Sequence, residues 1–167
     1  MNANDLDLDH VDPIDRNSDA LKPGSTSTPL STLIWAIAAG DLATVESQVA
    51  DGIEWGLMPY NKVLKGKAEV MPWFKAAVAD KKRPVVVTNA FADGWGVLEY
   101  WNIGTVSEDV IRLGNERKWP WPGDPQGFLG REYRVAQCFV YRVDGEGRIE
   151  LMRQYLDPGS IWAQLAK

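Results

Sequence analysis

The chain has 167 residues, 45% hydrophobic and 25% charged, which suits a single globular domain with its own core. A net charge of −5 argues against a nucleic-acid partner, and no apolar run approaches the roughly 18–20 residues of a membrane span. One cysteine, Cys138, cannot close an internal disulfide, and the only histidine, His10, lies in a polar amino-terminal stretch, so a zinc site or a Cys–His nucleophile lacks its residues. The expected setting is the cytoplasm, with no cofactor, no nucleic acid and no membrane.

Residues 1–28 carry six aspartates and the patch "KPGSTSTP", with few large apolar groups. Such a segment cannot offset its own ordering entropy, so it reads as a flexible or docked acidic arm. The domain proper, 29–167, opens at Thr28-Pro29, a cap residue before a proline at the first helical position. Leu30, Leu33, Ile34 and Ile37 recur at helical spacing up to Gly40. Asp41 can cap a second helix with Leu42, Val45 and Val49 on one face.

From Gly52 the period changes to two. "GIEWGLMPY" alternates as a strand with Ile53, Trp55 and Leu57 on one face. Gly66 opens a third helix, "KAEVMPWFKAAVADKK", in which Pro72 falls in an early turn, where a proline is tolerated. Next come "PVVVTNAFA", a turn at Asp93-Gly94, and "WGVLEYWNIGTV", an antiparallel hairpin. A loop of about 20 residues, "RLGNERKWPWPGDPQGFLGRE", reads as irregular, and loops of that length are uncommon unless functional. "REYRVAQCFVYRV" and "RIELMRQYL" then pair across "DGEG", and a short helix follows Asp157-Pro158. Helices followed by a run of strands indicate an α+β domain, with a cavity between the helical layer and a curved, mainly antiparallel sheet.

These segments resemble the SnoaL-like and limonene-epoxide-hydrolase-like branch of the nuclear-transport-factor-two-like superfamily. The resemblance rests on "AIAAGDLATVESQVADGIEW", "GKAEVMPWF", "NAFADGWGVLEYWNIGTV" and "VYRVDGEGRIELMRQYLD", and it spans roughly residues 30–166. It implies a cone-shaped α+β barrel with a deep apolar pocket, usually dimerising through the sheet. Members include polyketide cyclases, dehydratases, steroid isomerases, epoxide hydrolases, cofactor-free lyases acting on lignin-like diaryl compounds, and catalytically silent binders. The epoxide hydrolases place a tyrosine and an asparagine on the first strand, an Arg-x-Asp pair on a middle strand and an Asp on the last. Those positions fall here on Trp55, Leu57, Tyr100, Asn102 and Gln154, so the charged groups that mechanism needs are replaced.

Strand parity then defines an inward set. Tyr100 shares its face with Leu98 and Asn102; Tyr133, Val135, Gln137 and Phe139 share another; Met152 shares a third with Gln154. With Asn89, these give an aromatic cavity carrying amides and phenols but no obvious base. Glu54 and Glu99 have outward parity, and Asp157 serves its turn. The amide cluster either satisfies itself or reads a ligand. Lys62 is either solvated or at the pocket rim, beside which Arg117 and Lys118 add charge. Eight tryptophans serve the core and subunit contacts or line the pocket, and Trp119 and Trp121 close it as a lid, bury against a second subunit or simply pack on their own chain. The functional expectation is a cofactor-independent lyase or isomerase in aromatic-compound catabolism. Tyr100, Asn102 and Gln154 would be catalytic, with Trp55, Leu57, Asn89, Tyr133, Gln137, Phe139, Trp119, Trp121 and Lys62 around a hydrophobic hydroxylated substrate. The alternatives are a non-catalytic binding or scaffolding dimer and, third, an epoxide hydrolase.

Overall fold

Thr28 caps the first helix through a reciprocal pair with Ser31. The Thr28 hydroxyl accepts the Ser31 N–H at 3.3 Å, and the Ser31 hydroxyl accepts the Thr28 N–H at 2.9 Å. Pro29 follows at the first helical position, and Gly40 ends the helix at φ 80°, a left-handed conformation that suits glycine. In the computed structural model, which describes residues 27–79, 82–116 and 118–167, this is α1, Pro29–Ala39. Asp41 caps α2, Leu42–Ser47, by accepting the Thr44 N–H at 3.0 Å. Residues 1–26 of the acidic arm, and Arg117 of the expected rim charges, lie outside the described residues.

The remaining elements are β1 (Val49–Leu57), β2 (Lys62–Lys65), α3 (Gly66–Ala79), β3 (Arg83–Ala92), β4 (Trp95–Thr105), α4 (Glu108–Glu116), β5 (Glu132–Val143), β6 (Ile149–Leu156) and α5 (Pro158–Leu165). The six strands form one sheet in the order β2-β1-β6-β5-β4-β3. All pairs are antiparallel except β1 with β6. The fold is α+β, and the sheet stays open, with β2 and β3 at its edges.

Four details depart from the sequence reading. Val49 starts β1, where it pairs with Ile149, rather than completing α2. Met58–Tyr60 is a single tight turn, and Lys62–Lys65 returns as a short edge strand that periodicity over four residues could not reveal. The long connection is irregular only in part. The preceding α4 runs into it as far as Glu116, with Val110 and Ile111 buried just before it, and Pro125–Phe128 forms a further helical turn. Finally, Pro72 sits inside α3 rather than in an early turn, removing one helical hydrogen bond. Its ring faces solvent, while Val70, Met71 and Phe74 bury against the sheet.

Two apolar clusters result. The larger joins α1, α3 and the inner face of the sheet, with Trp55 stacked on Phe74 at 5.0 Å and meeting Trp73 edge-on at 6.3 Å. The smaller gathers Val106, Val110, Ile111, Phe128, Tyr133 and Leu165, with Trp119, Trp121 and Trp162 packed on it. No helix among the described residues is long and apolar enough to cross a membrane.

Candidate functional site

Alternation on β4 turns Leu98, Tyr100 and Asn102 inward, with Gly96 and Gly104 closing the row at either end. Each glycine faces a tyrosine of β5: Gly96 pairs with Tyr141, and Gly104 with Tyr133. A Cβ at either position would collide with the tyrosine ring, so the glycines let both rings lie across β4. Between these Gly–Tyr pairs, Tyr100 stands opposite Gln137 and Asn102 opposite Val135. On the other side of β5, Gln137 pairs with Leu156 and Phe139 with Gln154, leaving the two glutamines on a diagonal that long side chains can span.

They do span it. The Gln154 amide donates to the Gln137 carbonyl oxygen at 2.7 Å, and the Tyr100 hydroxyl donates to that same oxygen at 3.2 Å. Burial pushes the Tyr100 phenol far above the ordinary tyrosine value, so it stays protonated and can act as a hydrogen-bond donor but not as a base. Asn102 retains 9% exposure, and among the described residues its side chain has no hydrogen-bond partner.

These groups face a cavity of about 210 Å³ between the sheet and the helices. Its wall takes Leu33 and Ile34 from α1, Trp55 and Leu57 from β1, and Trp73 and Phe74 from α3. From the other side come Tyr133, Val135 and Phe139 of β5, with Ile161 and Trp162 of α5. A dry apolar cavity of roughly 150 Å³ accommodates benzene, so this one suits a single ring bearing a short arm. No Asp, Glu or His lines it among the described residues, and the only charged lining group there is Lys82. Nor does any cluster of three or more His, Cys, Asp or Glu suited to a metal occur among those residues.

Tyr100, Asn102, Gln137, Gln154, Trp55, Leu57, Tyr133, Phe139, Trp119 and Trp121 all line the cavity. Two other sequence candidates do not. Asn89 accepts the Thr28 hydroxyl at 2.8 Å and so ties the start of α1 to β3. A bulge between Val86 and Thr88 breaks the alternation of β3, and Asn89 ends up beneath the helix cap. Lys62 is exposed on edge strand β2, with its ammonium 5.3 Å from the Trp73 ring centroid.

Trp119 and Trp121 pack on their own chain. Each lies within 6 Å of Trp162, at 5.9 and 5.3 Å between centroids, and Trp121 also stacks on Phe128. Both belong to the cavity wall, because α4 carries Gly114 at the contact, where a Cβ would strike their rings. Glu54 faces outward and pairs with Arg153 at 2.6 Å; Glu99 faces outward and accepts the Thr88 hydroxyl at 3.2 Å. Asp157 caps α5 by accepting the Gly159 N–H at 2.9 Å.

Sequence reasoning missed Lys82, Trp73 and Trp162 as lining residues. Lys82 lies two residues before Pro84, the partner of Asn102, a pairing that only the strand register reveals. Without the register, nothing separated it from the neighbouring basic residues of "DKKRP".

A curved, mostly antiparallel sheet wrapped over amino-terminal helices, with a polar row inside an apolar cavity, is the nuclear-transport-factor-two-like fold, and this chain has it. No family model matches the sequence, and a search of curated proteins finds no match. Solved structures do match. IdmH from Streptomyces antibioticus, proposed to be a polyketide cyclase, aligns with TM-score 0.65 and 17% identity over 83% of this chain and 96% of its own. A hypothetical protein of ketosteroid isomerase-like fold from Catenulispora acidiphila, in complex with trimethylamine, gives 0.59 and 13% over 83% and 93%. An LEH-like epoxide hydrolase from M. tuberculosis gives 0.58 and 13% over 82% and 86%. At such identities the likeness establishes the fold, and the chemistry rests on the residues.

Proposed function

We propose that the protein is a cofactor-independent lyase or isomerase acting on a small hydroxylated aromatic molecule held in the cavity. The observation that carries this reading is the row Tyr100–Gln137–Gln154, joined by hydrogen bonds and set inside an aromatic chamber beside Asn102, whose side chain has no hydrogen-bond partner among the described residues. Solved neighbours of the same fold include proteins proposed to be polyketide cyclases, an epoxide hydrolase/cyclase-like enzyme and an LEH-like epoxide hydrolase, which supports an enzyme of this general kind.

Neutral donors suit eliminations in which the substrate's own ring carries the developing charge. In loss of water from a 4-hydroxybenzyl alcohol, the phenolic O–H and the benzylic C–O bonds break. The ring electrons shift to form a quinone methide, and the hydroxyl departs with the proton as water. Tyr100 holds its proton too firmly to give it up outright, so its role is to donate a hydrogen bond to the oxygen on which charge grows. The hydroxyl hydrogen can turn from Gln137 to the substrate by flipping between the two in-plane orientations of a phenol O–H. Asn102 and Gln154 hold the polar arm. Gln137 keeps Gln154 and Tyr100 in register with each other.

The test is to incubate the protein with a panel of hydroxylated aromatics and follow product by mass. Turnover lost in Tyr100→Phe and Asn102→Leu, with substrate binding retained, supports the reading; unchanged turnover in both removes it.

A second reading is a binding or scaffolding dimer of the same fold, favoured by the lack of Asp, Glu or His on the described cavity wall. The outer sheet face supports association, for Val85, Val97, Trp101 and Tyr155 are all exposed there. Binding without conversion of any panel member decides for this reading. Epoxide hydrolysis stands third, since Tyr100, Asn102 and Gln154 offer no carboxylate to activate water.

A further inference from the structure

We infer that the ligand of this cavity presents an amide edge, an N–H and a C=O side by side, which pairs with the side-chain amide of Asn102. The inference rests on the reading above and names the polar group that the aromatic ligand carries. Asn102 is 9% exposed and lines the cavity, and among the described residues its side chain has no hydrogen-bond partner. Its surroundings explain why. Across the ladders it faces Val135 of β5 and Pro84 of β3, whose side chains carry no polar atom. Along β4 the next inward positions are Gly104, which has no side chain, and Tyr100, whose hydroxyl donates to Gln137 at 3.2 Å.

A buried amide without partners is costly, so one held among neighbours that cannot serve it points to a ligand that does. Its two atoms make different demands. The Asn102 nitrogen donates, its oxygen accepts, and the two directions run side by side. A hydroxyl offers donor and acceptor on one atom and meets only one of those directions at a time. A carboxylate, ionised at neutral pH, answers the N–H but sets a negative charge against the oxygen. An amide edge meets both at once, as an asparagine does when it reads an adjacent donor and acceptor on a base.

Gln137 serves the same edge. It stands diagonal to Asn102, and its carbonyl oxygen already accepts Gln154 and Tyr100. Among the described residues its amide nitrogen donates to none, which leaves an N–H for the second lone pair of the ligand carbonyl. Two kinds of small aromatic molecule present such an edge. One is a phenol with a carboxamide arm; the other is a ring lactam, the tautomer of a hydroxylated pyridine. Both are single rings of a size that a cavity of about 210 Å³ takes.

The experiment titrates two matched pairs calorimetrically into the wild type and Asn102→Leu. The arm pair is 4-hydroxyphenylacetamide and its ester, methyl 4-hydroxyphenylacetate; the ring pair is 4-ethyl-2-pyridone and its N-methyl derivative. In each pair only the first member keeps the N–H beside its carbonyl. The expected result is that the wild type binds the N–H member of at least one pair roughly tenfold more tightly than its partner, as one unmade hydrogen bond at a buried amide implies. The pair that shows the preference tells an arm from a ring. Asn102→Leu should erase the preference by weakening the N–H member alone, and without ligand it should melt no lower than the wild type, because it removes a polar group that no neighbour serves. Equal affinities within both pairs on the wild type overturn the amide edge and leave the aromatic-pocket reading standing. So does a preference that survives in Asn102→Leu, or a lowered melting temperature in that variant, which would reveal an internal partner. Failure of all four compounds to bind takes the pocket reading down with it.

Discussion

The carbonyl oxygen of Gln137 accepts the amide of Gln154 at 2.7 Å across the diagonal of two antiparallel strands. Because the same oxygen also accepts the Tyr100 hydroxyl, one side chain sets the orientation of the other two. Replacing Gln137 by leucine should leave both donors unpartnered in an apolar wall and destabilise the protein by about 1–3 kcal/mol. Gln137→Leu combined with Gln154→Leu and Tyr100→Phe should cost less than the sum of the three single changes. Denaturant unfolding of the set checks this, and strict additivity would show that the three side chains do not act as a unit.

The buried phenols set a limit at high pH. Below about pH 10 tyrosine is neutral in both folded and unfolded chains, so it adds no pH dependence there. Above that value the unfolded chain releases the proton, whereas the folded chain retains it on Tyr100, since burial raises this pKa. The folded state then binds more protons, and stability must fall as pH rises. Burial also raises the Tyr141 pKa, so Tyr100→Phe should reduce the alkaline loss without removing it. Chemical unfolding at a series of pH values from neutral to strongly alkaline measures the difference, and identical slopes for wild type and variant contradict it.

Gly104 lets the Tyr133 ring cross β4, and a Cβ there would lie 2.6 Å from the ring and its hydroxyl. Gly104→Ala should therefore push the ring toward the cavity, lowering stability by roughly 1–3 kcal/mol and weakening ligand binding together. Shortening the partner in Gly104→Ala/Tyr133→Val should recover part of both. A single variant with full stability and affinity would mean that the ring moves aside freely.

Five of the eight tryptophans, Trp55, Trp73, Trp119, Trp121 and Trp162, line the cavity. A bound aromatic molecule should therefore quench most of the intrinsic fluorescence. Trp162→Phe should reduce the amplitude with little change in midpoint, because it leaves Tyr100, Asn102 and Gln154 untouched. Quenching confined to a small fraction of the signal would place the ligand elsewhere.

The outer sheet face makes a separate prediction. Trp101 and Val97 are 38% and 36% exposed on β4, flanked by Val85 of β3. If this face joins two copies, Trp101→Glu should convert a dimer into a monomer in sedimentation while leaving the cavity intact. A wild type that stays monomeric at high concentration rules the association out.

The inward row of the site was legible from the residues because a strand's alternation has only two outcomes, and burial of one face selects between them. Tyr100, Asn102, Gln137 and Gln154 follow that rule along unbroken ladders. Asn89 escaped it because a bulge two residues earlier shifts the alternation, a feature with no signature in "VVVTNAF". The connection after β4 misled for another reason. Its prolines and tryptophans suggest an irregular loop, yet the preceding "EDVIRLGNE" forms a helix whose apolar side finds Phe128 and Leu165 only after the chain has folded.

Local chemistry alone thus specified the caps, the class of fold and the faces of the regular strands, for each depends on neighbours within a few residues. Which amide partners which phenol, which lysine enters the chamber and where the indoles lie were settled only in three dimensions. Those outcomes turn on contacts between residues far apart in the chain, and such contacts exist only once register and curvature are in place.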